Sequence, residues 1–506
     1  MFAVLSHYRS LILLQFGLLA MLLFPSIYQI ATVRFTIVIA VVLFLVWLGI
    51  VQIGRQAPFK IEYIARKQHY IQALVQSSVY LYWGYYWRPV YDHVPLIAAQ
   101  LLFAYSFDLL LSWTRRGHYV LGFGPVPIIF SINLFLLFKP DWYYLQFVMI
   151  AVGFLGKEFI RWQREGKSVH IFNPSAFALG LFSLLLITTG TTELTWGPEI
   201  ASTLTLAPNI YFFLFLSGLV VMYFFSITLV AMSAAATLFG LSALYSALQG
   251  VPYFLDSEIP AAVFLGLHLL ITDPSTSPRS LLGKAIFGVL YGLGVFGLYA
   301  VLGAIGVPTF YDKLLCVPLL NLCVIAIDKS TQKILAKIQW RPRVSLQNLN
   351  LRYMAVWIVF FGLMAVLHKT DSMHIGDSLP FWQQSCVQGR THACERLLLL
   401  EETYCRDGSA WACNELGLHY RQGEWVDSNP IRAEQFFSRA CELRFQAACI
   451  NALNDEQTLQ ANPKPLDLRL LLRQGGQNLM TMDEPALMTR ACDHGWEFAC
   501  TKVSLR

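Results

Sequence analysis

Charged side chains are scarce in this chain of 506 residues, of which only 13% are Asp, Glu, Lys or Arg. Hydrophobic residues make up 56% of the chain and aromatic residues 14%. Soluble globular domains carry about a quarter charged residues. The composition therefore argues against an ordinary soluble enzyme and indicates a membrane protein.

Motifs of several common enzyme classes are also missing. The sequence has no Walker loop, no dinucleotide-binding fingerprint of a β-α-β unit and no H-E-x-x-H helix. These absences argue against an ATP, nicotinamide or zinc-protease site on this chain. The lone pair Cys316 and Cys323 cannot supply the four thiolates that hold an iron–sulfur cluster.

Long apolar runs are absent after Lys369, whereas they follow one another closely from Leu11 to His368. Each is about 16–24 residues long, close to the length that crosses about 30 Å of hydrocarbon as a helix, and we predict about thirteen such spans. They lie near 10–29, 35–54, 69–86, 94–112, 123–138, 142–160, 174–190, 209–225, 226–247, 260–272, 284–303, 312–327 and 353–368. The first run is interpreted as a retained anchor, since no A-x-A-like cleavage site follows it.

Lysine and arginine gather in alternate connections between these spans. The basic connections are 55–68, 114–118, 157–168, 279–284 and 328–352. Because short basic loops stay cytoplasmic, we predict a bacterial inner-membrane protein with a cytoplasmic N-terminus and with 370–506 in the periplasm. The net charge of +6 then records orientation in the lipid bilayer and does not indicate a nucleic-acid partner.

Most of the cysteines lie in the tail, in four C-x7-C units. These are Cys386/Cys394, Cys405/Cys413, Cys441/Cys449 and Cys492/Cys500. Eight residues of one helix rise about 12 Å, whereas a disulfide joins Cα atoms about 4.4–6.8 Å apart. Each unit is therefore predicted to be a helix, a tight turn and a helix closed by a disulfide, which requires an oxidising compartment. Zinc binding is the alternative, although the spacing and the scarcity of His argue against it.

A longer period runs through the same tail, because Cys405 and Cys441 are 36 residues apart. With the small and aromatic residues between them, this period resembles SEL-one-like repeats, relatives of the tetratricopeptide type, over most of 380–506. The resemblance implies an α-solenoid that binds a periplasmic protein or peptide. Residues 450–491 depart from the repeat, and a passive cap on the membrane part is the alternative role.

Two proline motifs interrupt the apolar runs. They are H-I-F-N-P-S-A-F at 170–177 and T-D-P-S-T-S-P at 272–278. Proline lacks an N–H and cannot continue a helix, so both are interpreted as discontinuous-helix elements that line a cavity buried in the protein. The alternatives are a helix N-cap at Asn173 with proline in the first turn, and a simple turn at Asp273. Polar residues at such positions are functional candidates.

Together the patterns H-x-F-N-P-x-x-F and T-D-P-x-x-S-P resemble the family of RnfD and NqrB, the large membrane subunits of Rnf and sodium-translocating NADH:quinone reductase complexes. The likeness covers roughly 69–328 and implies an all-α core of five plus five spans in inverted repeats, similar in fold to ammonium and urea channels. An internal echo between 136–140 and 270–274, five spans apart, agrees with it. The remaining parts are 1–68, 329–369 and the repeat domain 370–506.

In that family a threonine in a segment of the form D-x-x-S-G-A-T, on the outer face, carries FMN through a phosphoester bond. The corresponding segment here is E-I-A-S-T-L-T at 199–205. Ser202 and Thr205 match, Glu199 replaces Asp, and the small Gly-Ala pair is missing. Covalent FMN at Thr205 therefore stands beside non-covalent FMN or riboflavin, quinone, or no cofactor at all.

The other cofactor candidates lie in the two proline motifs: His170, Asn173, Thr272 and Asp273. His268, one turn before Thr272, is either a buried hydrogen-bonded imidazole or part of the same site. The sequence assigns no catalytic residue and no metal ligand.

Three functions remain open. The leading prediction is a membrane subunit of an electron-transport complex that carries electrons through flavin or quinone, with or without cation translocation, and receives them from other membrane or redox subunits. The second is a channel or transporter for a small solute on the same fold. The third is a membrane scaffold whose repeats recruit a periplasmic partner.

Overall fold

The structure is a computed structural model, and most of the chain before 452 is described. The described residues are 2–54, 59–164, 166–254, 257–338, 345–370, 375–377, 379–406, 409–443, 445, 448–449, 451 and 489. The protein is mostly helical, with 76% helix and 4% strand. The predicted all-α class is confirmed.

The helices up to residue 366 are the following. They are α1 (Phe2–Ala20), α2 (Pro25–Tyr28), α3 (Ala31–Gly54), α4 (Lys67–Tyr86), α5 (Pro89–Asp92), α6 (Val94–Arg115), α7 (Pro125–Asn133), α8 (Tyr143–Phe159), α9 (Pro174–Thr189), α10 (Gly197–Leu204), α11 (Ile210–Phe225), α12 (Thr228–Gln249), α13 (Ala261–Leu269), α14 (Leu281–Ala304), α15 (Asp312–Ile338) and α16 (Leu346–Val366). Short strands begin in three of the basic connections. They are β1 (Lys60–Tyr63), parallel to β2 (His118–Leu121), and β3 (Arg161–Arg164), antiparallel to β4 (Lys167–His170).

In the described part of the chain, six helices are long and apolar enough to cross a membrane. These segments are Ala31–Ile53, Val94–Arg115, Thr228–Gln249, Leu281–Ala304, Thr309–Ile334 and Gln347–Val366. Shorter apolar helices lie at Ser10–Leu23, Pro174–Thr189 and Ile210–Phe225. A membrane protein is thereby confirmed, while the count of thirteen spans stays a prediction.

Two of the predicted spans are instead half-length helices followed by non-helical chain. Helix α7 and helix α13 each have nine residues. After α7 the buried backbone is bonded by Gln146, whose Oε1 accepts from the Phe138 N–H at 3.0 Å. Gln146 is itself 0% exposed. Buried backbone that leaves a helix needs such a partner, and a glutamine side chain supplies it here.

The chain divides into two compact units. The first comprises 1–241 and 259–372, and the second comprises 242–258 and 373–506. In the first unit, helices from its two halves meet at two places, since α4 contacts α11 and α9 contacts α15. Within each half the half-helix packs on the first helix, α7 on α4 and α13 on α11.

The second unit contains α17 (Leu379–Val387), α18 (Ala393–Arg406), α19 (Ala410–Gln422) and α20 (Pro430–Glu442). Its core is built around the buried side chains of Trp382, Leu397, Trp411 and Phe437. The connection after α12 belongs to the same core, because Val251 is 2% exposed within it. This membership of 242–258 was not anticipated from the sequence, where the apolar pattern places the segment in the membrane core.

Three of the four predicted disulfides are present, with Cα–Cα separations of 4.6, 4.7 and 4.6 Å. They join Cys386 to Cys394, Cys405 to Cys413 and Cys441 to Cys449. The first two link neighbouring helices across a turn, as the spacing requires, and zinc ligation by these six sulfurs is excluded. The fourth pair, Cys492 and Cys500, lies outside the described residues. The solenoid arrangement stays a prediction.

Candidate functional site at two helix breaks

The half-helix α13 ends because its last turn is replaced by side-chain and loop hydrogen bonds. Thr272 Oγ1 donates to the His268 carbonyl at 2.7 Å. Ser277 Oγ donates to the Asp273 carbonyl at 2.7 Å. Thr272 and Ser277 are both 1% exposed, so the chain after α13 is non-helical but bonded. A half-helix is therefore followed by a turn at Asp273, which is compatible with both interpretations of the Thr-Asp-Pro motif.

The Asn-Pro motif has the geometry of its simpler interpretation, a helix N-cap. Asn173 Oδ1 accepts from the Ser175 N–H at 3.1 Å and from Ser175 Oγ at 2.8 Å. Pro174 occupies the first turn of α9, where its missing N–H costs nothing. An asparagine cap of this kind stabilises a helix by about 1 kcal/mol.

The same asparagine also joins the two motifs. Asn173 Nδ2 donates to the Leu270 carbonyl at 3.2 Å, in the chain that leaves α13. Asn321 of α15 completes the connection, because its Oδ1 accepts from the Asn173 N–H at 3.1 Å and its Nδ2 donates to the Thr276 carbonyl at 3.2 Å. Two segments about a hundred residues apart in sequence are therefore joined by one buried hydrogen-bond network.

A carboxylate, an imidazole and a hydroxyl lie at the solvent-facing edge of this hydrogen-bond network. Ser275 Oγ donates to Asp273 Oδ1 at 2.5 Å and lies 3.2 Å from His170 Nε2. His170 Nε2 and Asp273 Oδ2 are 4.0 Å apart. Because the hydroxyl proton goes to the carboxylate, the imidazole donates to Ser275 and does not activate it. The arrangement suits binding and orientation of a polar ligand, and differs from an activated serine nucleophile.

A buried arginine holds the loop that carries this cluster. Arg164 Nη2 donates to the Ser277 carbonyl at 3.1 Å and to Asp328 Oδ2 at 2.5 Å. Asp328 Oδ1 accepts from the Arg279 N–H at 3.0 Å. The sequence did not predict this pair, and Arg164 was assigned only to the basic connection 157–168. No local signal distinguishes it from its neighbours, since Arg164 and Asp328 are 164 residues apart.

Two adjoining cavities open beside the cluster, with volumes of about 280 Å³ and about 270 Å³. The first is lined by both proline motifs, including His170, Asn173, Ser175 and Asp273. Both cavities share five lining residues: Arg66, His69, Gly124, Lys157 and His170. Of the predicted candidates, His170, Asn173 and Asp273 line a common cavity, and Thr272 lies buried behind it.

The segment compared with the flavin-attachment motif lies elsewhere. Glu199 and Ser202 are on α10, and Thr205 directly follows it. Thr205 Oγ1 donates to the Ser202 carbonyl at 2.6 Å, and Ser202 Oγ donates to the Glu199 carbonyl at 3.1 Å. None of the three residues lines either cavity described above. The sequence candidates thus separate into two groups.

His268 is buried inside the first unit, as the first of its two interpretations expects. Its Nδ1 lies 2.7 Å from the Phe264 carbonyl, so this nitrogen carries the proton. The ring packs between Phe264 and Trp357, with centroids 4.5 and 6.0 Å away. A Cβ on Gly218 would meet the imidazole at 1.8 Å, which explains the glycine at that position.

No group of three or more His, Cys, Asp or Glu side chains in the described residues could hold a metal ion. No match to this chain was found among protein-family models, curated proteins or solved structures. The two family resemblances therefore stay predictions, and the chemistry of the site is argued from its own residues.

Proposed function

We propose that the chain is the membrane subunit of an electron-transport complex, built on an RnfD/NqrB-like core and carrying electrons through flavin or quinone. The observation that carries this proposal is the hydrogen bond from Asn173 Nδ2 to the Leu270 carbonyl. Leu270 lies two residues before the second motif, and the contact of 3.2 Å between His170 and Ser275 joins the two motifs on which the resemblance depends. Electron input comes from partner subunits, and cation translocation coupled to electron flow is part of the same proposal.

The inverted-repeat core is supported by the order and packing of the helices. The first five are α4, α6, α7, α8 and α9, and the second five are α11, α12, α13, α14 and α15. The half-helix is third in each set. The contacts of α4 with α11 and of α9 with α15 join equivalent members, as they would around a pseudo-two-fold axis. An odd number of spans per repeat makes the repeats inverted, and paired half-helices of this kind frame a midplane site.

The proposed topology places about thirteen spans in the inner membrane, the N-terminus in the cytoplasm and the second unit in the periplasm. Its support comes from two independent observations. The basic connections alternate along the sequence, and the second unit contains disulfides, which persist in oxidising compartments. In this arrangement the repeats bind a periplasmic protein or peptide and the membrane core carries the redox group.

The flavin part of the proposal is tested on purified full-length protein. We expect flavin absorbance in the native protein, and fluorescence of the denatured band in a gel if the flavin is covalent. Thr205→Ala should abolish the covalent signal. Thr203→Ala is the matched control and should keep it, because the native Thr203 hydroxyl likewise donates to a backbone carbonyl, that of Glu199, at 2.7 Å. Protein that contains neither flavin nor quinone would refute the redox function.

The cavity at the helix breaks also favours a second function, transport of a small solute. A cavity of about 280 Å³ that lies beside a half-helix and is lined in part by charged and polar side chains is a feature of transporters as well. Solute flux into liposomes that contain no redox group, and its loss in Asp273→Asn, would support transport. Absence of flux with a bound flavin present would favour the electron-transport function.

A further inference from the structure

The shared wall of the two cavities is basic. Arg66 and Lys157 line both cavities, together with His69 and His170. Arg66 stands at the start of α4 and Lys157 in the last turn of α8. Three separate segments of the chain therefore direct basic side chains toward one space.

The other charged groups around this space have partners within the protein. Arg116 pairs with Glu158, and Arg161 donates to Ser168 Oγ at 2.9 Å and to the Ser168 carbonyl at 2.7 Å. Asp273 is bonded by Ser275. Asp108, the remaining carboxylate of the wall, faces the charges of Lys157 and Arg116 at longer range.

Arg66 and Lys157 differ from these neighbours. Across the described residues, neither side chain forms an ion pair with a carboxylate or a hydrogen bond, whereas Arg161 is bonded to Ser168. The Lys157 ammonium lies 5.6 Å from the centre of the Phe154 ring. Because Asp108 faces Lys157 only at longer range, and no contact between either cation and a carboxylate is seen in the described residues, this wall keeps positive charge available for a ligand.

We propose that this cavity binds a phosphate group, either free phosphate, a soluble phosphate ester or the headgroup of an anionic lipid. A guanidinium offers paired N–H donors to phosphate oxygens and an ammonium offers a point charge. His69 adds a further ring donor, whereas the donors of His170 and Asn173 are already bonded to Ser275 and to the Leu270 carbonyl. Each cavity is close to the lower end of the size range of small-molecule sites, about 300 Å³, which suits a small anion.

The inference rests on the proposed function only because both use the same cavity. Phosphate binding there does not require flavin. Binding is measured on full-length protein in nanodiscs made of phosphatidylcholine, with inorganic phosphate as the probe and isothermal titration as the readout. We expect saturable binding that weakens about tenfold in Lys157→Met and in Arg66→Gln, because each removes one charged donor. Lys157→Arg should retain it. Lys329→Met, at an exposed lysine that lines neither cavity, should bind like the native protein.

The lipid source is tested in parallel by extracting lipids that remain with the detergent-purified protein. Phosphatidylglycerol retained by the native protein and by Lys329→Met, but lost from Lys157→Met, would support the site with a lipid headgroup as its ligand. Saturable phosphate binding with the variant pattern above would support it with a soluble ligand. If neither probe binds, or if the Arg66 and Lys157 variants match the native protein in both assays, the proposal is wrong. Native protein that binds phosphate but contains neither flavin nor quinone would refute the proposed function alone.

Discussion

A buried Glu–His pair illustrates how single residues respond to their surroundings in the second unit. Glu401 and His419 are 1% and 6% exposed, and Glu401 Oε2 lies 3.3 Å from His419 Nε2. Burial raises the pKa of Glu401 above its ordinary value, although the contact with His419 opposes this. Burial alone would lower the pKa of His419, but the contact with Glu401 and the charges of the neighbouring carboxylates raise it overall.

We predict that this pair makes the second unit less stable as the pH rises. Both groups hold their protons to higher pH in the folded unit than in the unfolded chain, where they titrate near 4.5 and 6.5. The folded state therefore binds more protons, so the stabilisation is complete below pH 4.5 and is lost as the pH passes through the folded pKa values. Calorimetry of the native chain should show a lower Tm of this unit at pH 8 than at pH 6.

The double variant Glu401→Gln, His419→Gln removes both titrating groups and should flatten that pH dependence. Glu395→Gln together with His392→Gln is the matched control, because that pair also lies close, at 2.8 Å, but is exposed. An unchanged slope in the buried double variant would contradict the role assigned to the pair.

At the scale of elements, the start of α9 combines a capping function with a tertiary one, and the two can be separated. Asn173→Ala removes the cap and leaves the buried Leu270 carbonyl without its donor, which should cost about 2–4 kcal/mol of unfolding free energy. Ser345 caps α16 through a bond of 3.2 Å from the Asn348 N–H, so Ser345→Ala should lose about 1 kcal/mol. Unfolding by SDS in mixed micelles measures both.

The substitution Asn173→Asp refines this test, because the carboxylate keeps the cap acceptor and loses the donor to Leu270. We expect its stability to lie between those of the native protein and Asn173→Ala. If Asn173→Ala costs no more than Ser345→Ala, the bond from Asn173 to the Leu270 carbonyl contributes nothing measurable.

At this scale the sequence predicted features that depend on neighbouring residues. It did not predict contacts between residues that are far apart in the chain. Asn-Pro and Asp-Pro mark a helix start and a helix break because capping and proline chemistry are local. The shortness of α7 was missed, since the apolar residues continue to Phe138 and the polar partner of that segment is Gln146 on the next helix. Arg164 with Asp328 is likewise a long-range pairing that no local pattern encodes.

For the molecule as a whole, the second unit combines the tail with the connection 242–258. Arg390 Nη1 donates to the Gly250 carbonyl at 2.6 Å, and Arg396 Nη2 donates to the Tyr253 carbonyl at 3.2 Å. Arg390 lies in the turn between Cys386 and Cys394. The disulfide between these two cysteines therefore closes the loop whose arginine bonds the connection 242–258. The tail and the connection after α12 must therefore lie on one side of the membrane.

Labelling of cysteines in spheroplasts tests that side directly. In a background of Cys316→Ser and Cys323→Ser, a membrane-impermeant reductant followed by an impermeant maleimide should label the tail, because its disulfides lie in the periplasm in the proposed topology. A cysteine at Lys333, which is exposed in the last part of α15 and lies within the basic connection 328–352, should react only after the membrane is permeabilised. The reverse pattern, with Lys333→Cys labelled in intact spheroplasts and the tail protected, would invert the topology and with it the side from which ligands reach the cavity at the helix breaks.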